Sequence, residues 1–394
     1  MHILYNIGIK AYEAALHIAA NFNPKAKAWV KGREGYFKQL PAVPDKKVVW
    51  FHCASLGEFD MALPVMNSLK DKYPSTFILV SFFSPSGMEH YHKRIHKVDL
   101  AVYLPSDSPA NAQKFIAHFK PEKAFFVKYE FWSNYIFEAK KQDVQVFSLC
   151  SIFRDDHRFF KWYGGFFRDT LRQIDFFYTQ NERSSLLLAD IEITNFITAG
   201  DTRFDRVIEN KKQLVPNEKI ELFLKAEKAI ILGSTWPKDE EILIPFILKN
   251  PTQKFIIAPH NIDEAHIVSI EQQLTGKTIR YTDESHSDSQ VLILNTIGNL
   301  SNAYSYGKMA YIGGGFSGSL HNILEPAVFG LPVIFGPKFK RFPEASMFLH
   351  AGIGFTVNNL SEFENTFLEI DQNLSQLSEK TEAIVLKNTG ASSK

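Results

Sequence analysis

The sequence has little cysteine and almost no net charge, and each shortage excludes a class of protein. Only Cys53 and Cys150 are present, so no disulfide framework holds the fold, and a reducing compartment such as the cytoplasm is expected. The formal net charge is +1, whereas a general nucleic-acid binder needs a strongly basic face. We therefore predict that nucleic acid is not a partner.

Signatures of several common enzyme classes are also missing. The sequence contains no Gly-x-Ser-x-Gly, no P-loop and no GxGxxG after its first predicted strand, which argues against serine hydrolases, P-loop NTPases and NAD enzymes. It contains no CxxC motif and no Asp-x-Asp dyad of the kind that holds a divalent ion on a nucleotide-sugar diphosphate. We expect chemistry that needs neither a metal nor a cofactor.

Long apolar runs are absent from the opening segment, where charges interrupt any stretch of about 20 residues that could span a bilayer. Apolar residues instead recur at helical spacing along one side: Leu4, Ile7, Ala11, Ala14 or Ala15, and Ile18. A basic cluster follows: Lys25, Lys27, Lys31 and Arg33. We predict over residues 1–40 an amphipathic helix and a basic segment at a membrane surface, with the cations at anionic head groups. The alternative is a helix packed on its own domain.

Beyond residue 45, short β-rich runs alternate with helical stretches, as in parallel α/β sheets. The first series of strands is predicted near 47–53, 77–82, 100–104, 123–127, 144–150, 175–179 and 195–199. The second is predicted near 229–233, 254–258, 278–281, 291–294, 309–313 and 332–335. We predict an α/β domain over 41–205 and another over 206–394. Ligands of open α/β sheets collect at the carboxyl ends of strands, so a cleft between two such domains is the expected site.

One carboxylate stands out in the stretch "HCASLGE", where Glu58 follows the first strand and opens a helix. A Glu in a first helical turn commonly complements the positive end of the helix dipole. The same dipole favours the ionised carboxylate, which could take a proton from a hydroxyl group in a transition state. Glu58 is therefore either a helix-capping residue or a general base.

The stretch 309–337 contains a glycine-rich loop between a strand and a helix. Its backbone N–H groups, including those of Gly314 and Gly315, could surround a phosphate. Asn322 and Glu325 have the spacing of a capping box, so they could simply start the helix. Together with the following strand, the arrangement would place the Glu325 carboxylate beside a ribose while the loop holds the phosphate.

Three further motifs carry candidate residues with alternative structural roles. "GSTWPKDEE" (233–241) places Ser234 and Thr235 at a strand-to-helix turn, where they could cap the helix or contact an anionic substrate. "KYEFWSNY" (128–135) brings Glu130 to the end of a strand, and "GDTRFDRV" (200–207) places Arg203 near the domain junction. Either side chain could instead belong to a solvated loop or an interdomain salt bridge.

Taken in order, the motifs resemble those of the 3-deoxy-D-manno-octulosonic acid (Kdo) transferases, glycosyltransferases of the GT-B type. "KGREG" (31–35) is similar to an early Gly-Arg element, and "HCASLGE" to His-Ala-x-Ser-x-Gly-Glu, whose Glu is the general base. "EFWSN", "GDTRFD", "GSTWPKDEE" and "HNILEPA" are similar to four later family motifs. The resemblance covers nearly the whole chain and implies two Rossmann-like parallel-sheet domains facing across a cleft.

The resemblance also implies roles for individual residues. Glu58 would be the base, with Glu130 and Arg203 assisting the transition state. The expected donor-binding residues, which would hold CMP, are Ser234, Thr235, Pro259, His260, Ile297, Gly298, Asn299, Gly314, Gly315, Asn322, Ile323, Leu324 and Glu325. The chain departs from the family at His260 and Asn261, where Arg-His is usual, at Asn295 and Asn299, at Arg203, which replaces Lys, and at Ser133, which replaces Pro.

The reaction that the resemblance implies is inverting, metal-independent transfer of Kdo from CMP-Kdo to a hydroxyl of a lipid A precursor similar to lipid IVA. The N-terminal segment would then dock at the inner leaflet, on the cytoplasmic face of the bacterial inner membrane. Two alternatives share the fold: a GT-B-like nucleotide-sugar 2-epimerase, and a non-catalytic sugar- or lipid-binding protein. An epimerase would need no amphipathic N-terminus, and a binding protein would tolerate the loss of Glu58.

Overall fold

A computed structural model describes residues 1–284 and 289–394. The chain folds into two compact units, one formed by residues 1–206 with 388–394 and the other by residues 207–387. The boundary falls within one helix, which spans Thr202–Lys212. Each unit contains a parallel sheet of seven strands with helical crossovers, so the fold-class prediction of two parallel-sheet α/β domains is confirmed.

The N-terminal unit is built on a sheet with strand order β3-β2-β1-β4-β5-β6-β7. Its strands are β1 (Val48–Cys53), β2 (Phe77–Phe82), β3 (Leu100–Tyr103), β4 (Lys123–Val127), β5 (Gln145–Ser151), β6 (Phe176–Thr179) and β7 (Phe196–Thr198). All six residues of β1 are buried, because helices cover both faces of a parallel sheet and the central strand needs apolar side chains on each. The order reverses between β1 and β4, which makes the carboxyl ends of these two strands the switch point of the sheet.

The helices of this unit include an N-terminal group that precedes the sheet. The helices are α1 (His2–Ala19), α2 (Pro24–Lys31), α3 (Tyr36–Gln39), α4 (Leu56–Lys72), α5 (Pro85–His90), α6 (Pro109–Phe119), α7 (Ser133–Lys141), α8 (Gly165–Leu171), α9 (Glu182–Ala189) and α10 (Thr202–Lys212). Short 3₁₀ turns lie at Tyr91–Lys93 and Arg158–Phe160. Buried aromatic side chains such as Trp50, Phe115 and Phe126 fill one face of the sheet.

The C-terminal unit repeats the plan with strand order β10-β11-β9-β8-β12-β13-β14. Its strands are β8 (Ala229–Thr235), β9 (Lys254–Pro259), β10 (Thr278–Arg280), β11 (Val291–Ile293), β12 (Gly307–Ile312), β13 (Val333–Phe335) and β14 (Gly354–Thr356). Its helices are α11 (Glu218–Leu224), α12 (Pro237–Lys249), α13 (Glu264–Gln273), α14 (Leu300–Ala303), α15 (Leu324–Ala327), α16 (Pro343–His350), α17 (Leu360–Gln372) and α18 (Leu374–Lys387), with a 3₁₀ turn at Tyr304–Tyr306. The switch point here lies between β8 and β12.

The last seven residues depart from the domain boundaries given by the sequence. The sequence places 388–394 in the second domain, whereas the structure packs them with the N-terminal unit. Hydrogen bonds account for this packing, because the backbone N–H groups of Gly390 and Ser392 donate to the two carboxylate oxygens of Asp205, over 2.5 Å and 2.7 Å. The final 3₁₀ turn, Ala391–Ser393, also buries Ala391.

Candidate active site

Glu58 lies in the first turn of α4, directly after β1. Its Oε2 accepts hydrogen bonds from the backbone N–H of Ser55 (2.6 Å) and from the Ser55 hydroxyl (2.5 Å), so the predicted capping role is present. The side chain is buried, with 7% of its surface exposed. Both bonds use Oε2, and within the residues that the structure describes no hydrogen bond occupies Oε1. The fixed carboxylate therefore keeps one oxygen available to accept a proton.

Glu130 follows β4, the strand beside β1 at the switch point. Burial, and then the negative charge of Glu58, raise the pKa of Glu130 to about 7. The positive charge of Lys128 opposes this shift. The two predicted carboxyl groups thus interact at one edge of the sheet, and near neutral pH Glu130 can hold a proton.

Backbone strain marks the same edge of the sheet. Lys128, just beyond β4, has φ of 65°, and Cys150, near the end of β5, has φ of 54°. Positive φ is uncommon for residues with a side chain and costs free energy that the surrounding structure must offset. The Lys128 N–H donates to Leu149 O at 2.8 Å, which ties the two turns together. The loop that carries Glu130 is therefore held by a fixed backbone.

Arg203 lies in the first turn of α10, and its guanidinium pairs with Asp201 (Nη2 to Oδ2, 2.6 Å). The neighbouring Thr202 hydroxyl donates to Met61 O at 2.6 Å and lies 3.0 Å from Cys150 Sγ. These contacts fix the start of α10 against α4 and β5. The predicted cation is therefore a partly neutralised Arg–Asp pair within the N-terminal unit.

In the C-terminal unit, one buried carboxylate connects the predicted donor loops. Asp239, in the first turn of α12, accepts from the Tyr311 hydroxyl (2.6 Å) and from the backbone N–H groups of Trp236 (2.9 Å) and Gly314 (3.1 Å). It therefore joins the turns after β8 and β12, the strands at the switch point. Ser234 has φ of 54° where the register of β8 shifts, so this turn is strained as well.

The glycine-rich loop differs from the predicted phosphate cradle. The Gly314 N–H is occupied by Asp239, and the N–H groups of Ser317, Gly318 and Ser319 all donate to Gly314 O. A Cβ added at Gly315 would lie 2.4 Å from the Gly336 nitrogen. The glycines here permit close backbone packing, and most of the predicted N–H donors are already used within the protein.

Thr235 also departs from its predicted role. Its hydroxyl donates to Glu240 Oε1 at 2.8 Å, and the residue is fully buried. His266 Nε2 lies 2.8 Å from Glu240 Oε2, and this partner raises the pKa of His266 against the effect of burial. Thr235 thus belongs to a supporting network behind the strand, because its hydroxyl points toward α12.

His260 follows Pro259 at the end of β9 and is exposed. Its ring stacks on Trp236 with centroids 4.2 Å apart and planes at 16°. The indole N–H of Trp236 donates to His321 Nε2 at 3.3 Å. Burial and the neighbouring His260 lower the pKa of His321 to about 4, so His321 is neutral at physiological pH and can accept this bond.

The remaining donor residues gather around Glu325. Asn322 Nδ2 donates to Glu325 Oε1 (3.1 Å), and the Ser301 hydroxyl donates to Oε2 (2.9 Å). Helix α15 begins at Leu324, with Ile323 rather than Asn322 as its N-cap, although Asn322 Oδ1 still accepts from the Leu324 N–H. The loop of Ile297, Gly298 and Asn299 precedes α14, the helix that supplies Ser301; Ile297 and Gly298 are exposed, and Asn299 is half-buried.

The predicted membrane segment is docked on the N-terminal unit by one side only. The Tyr5 hydroxyl donates to the buried Asp107 (2.5 Å), and Glu13 accepts from Ser106 (2.8 Å). Burial raises the pKa of Asp107 to about 6. Large apolar side chains along the other side of α1 are exposed, as is the chain just after it: Ile3, Leu4, Ile7, Ile18 and Phe22. The alternative of a helix packed on its own domain is therefore confirmed for one side of α1, and the membrane-surface interpretation stays a prediction.

The basic residues of that segment divide into two groups. Lys25, Lys27 and Lys31 are exposed on α2. Arg33 departs from the prediction because its guanidinium points inward, donating to the backbone oxygens of Leu104 (2.9 Å) and Phe83 (2.7 Å). It also lies 4.1 Å from the centroid of the Trp29 ring. Arg33 thus holds the segment to the unit and leaves the three lysines as the outward charges.

None of the helices in residues 1–284 and 289–394 combines the length and apolar character that a membrane crossing requires. In the same ranges, no three or more His, Cys, Asp or Glu side chains are grouped so that they could hold a metal ion.

Sequence reasoning missed several residues that shape the site. Asp239 and Tyr311 hold the donor loops, Ser55 positions Glu58, and Ser301 contacts Glu325. A capping-box pattern around residues 55–58 could have identified Ser55. The contacts of Asp239 and Ser301 join residues far apart in the chain, so no local signal reports them.

Comparisons with known proteins give a consistent result. The family model "3-Deoxy-D-manno-octulosonic-acid transferase (kdotransferase)" matches residues 29–206. A 3-deoxy-D-manno-octulosonic acid transferase of Rickettsia conorii is 26% identical over 320 residues, covering 78% of this chain and 67% of the relative. The Aquifex aeolicus transferase is 26% identical over 332 residues, covering 82% and 86%.

Solved structures show the same fold at low sequence identity. UDP-GlcNAc 2-epimerase from Neisseria meningitidis has a TM-score of 0.64 at 15% identity, covering 88% of this chain and 95% of the epimerase. MurG of Acinetobacter baumannii has a TM-score of 0.52 at 12% identity, covering 86% and 95%. The expected architecture of two Rossmann-like domains is thus confirmed.

Proposed function

We propose the reaction of this chain from one premise: the chain belongs to the family of 3-deoxy-D-manno-octulosonic acid (Kdo) transferases, glycosyltransferases that use CMP-Kdo in lipopolysaccharide biosynthesis. The acceptor is a hydroxyl group of a lipid A precursor similar to lipid IVA, and the transfer inverts the anomeric carbon. The observation that carries this proposal is the pair of interacting carboxyl groups, Glu58 and Glu130, at the switch point of the N-terminal sheet.

Glu58 acts as the general base. Its Oε1 takes the proton of the acceptor hydroxyl as that oxygen attacks the anomeric carbon of Kdo, while the bond from this carbon to the CMP phosphate breaks on the opposite face. Ser55 fixes the other oxygen of the carboxylate, so the basic oxygen is oriented before the acceptor arrives. Glu130, in its protonated form, donates a hydrogen bond to an anionic group of the substrates and thereby avoids repulsion from Glu58.

The C-terminal unit binds the donor, CMP-Kdo. The Trp236–His260 stack offers a flat aromatic surface, and the Asn322–Glu325 pair offers amide and carboxylate groups to a ribose. The positive end of the α12 dipole lies directly after β8, where it favours a phosphate. Arg203, as the family resemblance implies, assists the transition state with its positive charge. These groups stabilise departing CMP without a metal.

The N-terminal segment docks on the cytoplasmic face of the inner membrane. The exposed apolar side of α1 enters the head-group region, and Lys25, Lys27 and Lys31 meet anionic lipids. The Tyr5 hydroxyl of α1 donates a hydrogen bond to the buried Asp107, so deletion of the helix would leave that carboxylate without this donor. The test therefore keeps the helix and changes only its exposed side chains. We expect the Ile7→Asp/Ile18→Asp variant to lose binding to anionic vesicles, while Leu368→Asp, an exposed apolar position in the other unit, serves as the matched control.

The proposed reaction is tested by incubating the protein with CMP-Kdo, generated in place, and a lipid A disaccharide acceptor. We expect CMP release coupled to a Kdo-bearing lipid, with little release when the acceptor is omitted. A protein that binds CMP but transfers nothing would refute the donor or acceptor assignment. Interconversion of a nucleotide sugar at C2 would instead favour the epimerase alternative.

A further inference from the structure

Two aromatic side chains project from a short turn of the N-terminal unit. Trp162 is 92% exposed and Tyr163 is 50% exposed, and they follow the 3₁₀ turn Arg158–Phe160. Their rings meet edge to face, with centroids 5.6 Å apart. An indole this exposed leaves a large apolar surface in water, which is unfavourable unless another surface covers it.

The backbone of this turn is fixed. Arg168 Nη1 donates to Phe159 O (3.0 Å) and to Lys161 O (2.8 Å). The Gly164 N–H also donates to Lys161 O (2.9 Å), and a Cβ at Gly164 would lie only 2.1 Å from Arg158 O. Because these contacts hold the chain on both sides of Trp162, the exposed rings are presented by a rigid support.

The turn is continuous with both the candidate active site and α1. On one side, the Phe159 ring packs against Phe131, the residue after Glu130, with centroids 5.7 Å apart. On the other side, the Phe166 ring lies 5.1 Å from Tyr5 and 5.5 Å from His2 of α1. The exposed aromatic pair therefore lies in a segment that connects the Glu130 loop to the amphipathic helix.

The charges of the turn suit an anionic surface. Lys161 precedes Trp162, and in the part of the chain that the structure describes no acidic side chain forms an ion pair with it. Asp155 pairs with Arg183, and Asp156 lies 3.6 Å from Arg154, so the neighbouring acids are offset by cations. Tyr and Trp beside lysine are the side chains that favour the boundary between lipid head groups and acyl chains.

We propose that Trp162 and Tyr163 form a second membrane contact, which inserts at the head-group level and holds the mouth of the Glu58 and Glu130 site against the bilayer. The inference rests on the proposed membrane docking and commits to a lipid bilayer as the covering surface. Two points of attachment, α1 and this turn, would fix the orientation of the unit. The head group of a lipid acceptor would then reach the carboxylates without leaving the membrane.

The test compares the full-length protein with Trp162→Ala/Tyr163→Ala, using vesicles of phosphatidylcholine with and without phosphatidylglycerol. Tyr73→Ala is the matched control, since Tyr73 is also 50% exposed but lies at the end of α4, away from the site. We expect the double variant to partition about tenfold less strongly onto anionic vesicles, with an unchanged unfolding midpoint. Brominated lipids should quench parent emission more than that of Trp162→Phe.

The activity readout separates this inference from the proposed function. We expect transfer to a vesicle-embedded acceptor to fall about as much as vesicle binding, and transfer to a detergent-dispersed acceptor to stay at the parent level. Vesicle binding at the parent level, or emission that brominated lipid quenches equally in parent and Trp162→Phe, would overturn the inference. So would self-association that the double variant abolishes. A parent that transfers nothing in detergent refutes the proposed function, while quenching still decides the membrane contact.

Discussion

Glu130 holds its proton into the neutral pH range because it is half-buried and faces the negative charge of Glu58. In the proposed reaction, ionisation of both carboxyl groups would place two negative charges beside an anionic donor. A protonated Glu130 removes one of these charges and adds a hydrogen-bond donor. The two carboxyl groups can therefore divide the work, with one as base and the other as neutral donor.

This division gives a pH dependence that can be measured. We expect the transfer rate of the parent to fall as pH rises through about 7, whereas Glu130→Gln, which stays neutral, should lack that alkaline limb. The folded-state pKa of Glu130 is raised, so its contribution to stability is greatest below its ordinary pKa and is lost as pH rises through about 7. Rates and denaturant midpoints between pH 5 and 8.5 would check both effects.

An alkaline limb that persists unchanged in Glu130→Gln would contradict this account and assign the limb to another group. Glu58→Gln is unsuitable as the control here because it removes the proposed base. Lys128→Gly is the better companion, since it relieves the positive φ and removes a charge that opposes the Glu130 shift. It should move the limb to higher pH.

Single positions differ in how far the sequence could predict them. Glu58 was identifiable because a strand, a small-residue turn and a helix start are all local signals. The contacts of Thr235 and Gly314 could not be predicted, because their partners, Glu240 and Asp239, are selected by tertiary packing. A hydroxyl or an N–H group in a motif carries no local sign of whether the protein has already used it.

The glycine-rich loop is a packing element between two turns. Gly315 and Gly336 approach so closely that a Cβ on Gly315 would lie 2.4 Å from a backbone nitrogen, and the Lys338 N–H donates to Gly315 O at 2.7 Å. The loop after β12 is thus fixed against the loop after β13. In the proposed function, the loop would contribute to donor binding through the shape it gives to the edge of the sheet.

We therefore expect Gly315→Ala to weaken CMP binding strongly and to destabilise the C-terminal unit by about 1–3 kcal/mol, because backbone atoms must move to admit the methyl group. Calorimetric CMP binding and denaturant unfolding would measure the two effects. Gly8→Ala is the control, since a Cβ there meets no atom within 4 Å. A Gly315→Ala variant with parent-like affinity and stability would show that the loop tolerates displacement.

Strands were predicted well because buried parallel strands are short apolar runs between turn residues. All thirteen strands predicted from the sequence coincide with observed strands to within about two residues. The exception is β14 (Gly354–Thr356), a three-residue edge strand that pairs on one side only, with β13. Its length and composition give no periodic signal, so only pairing with β13 defines it.

The chain crosses between its two units and then returns. It leaves the N-terminal unit within α10, forms the C-terminal unit, and returns at residues 388–394 to bind Asp205. The sequence could not show this return, since a short polar tail after a helix resembles any other terminus. The contact makes the last residues part of the N-terminal unit.

Removal of residues 388–394 should therefore destabilise the N-terminal unit, although these residues lie at the other end of the chain. We expect a loss of about 2–3 kcal/mol from the N-terminal unit, because the Asp205 carboxylate loses two N–H donors, with little change in the C-terminal unit. Hydrogen exchange followed by peptide mapping would locate the loss. Removal of Ser393 and Lys394 alone keeps both donors and is the control; a loss confined to the C-terminal unit would contradict the assignment.

The most direct test of the central claim compares Glu58→Gln with Ser55→Ala in the transfer assay, with CMP binding and unfolding measured for both. If Glu58 is the general base, Glu58→Gln should lose about a hundredfold or more in rate while keeping its CMP affinity. Ser55→Ala, which removes the hydroxyl contact but keeps the carboxylate and its backbone N–H donor, should lose about 1 kcal/mol of stability and retain its rate within a few fold. A Glu58→Gln variant with near-parent rate would reduce Glu58 to a helix cap and contradict the mechanism.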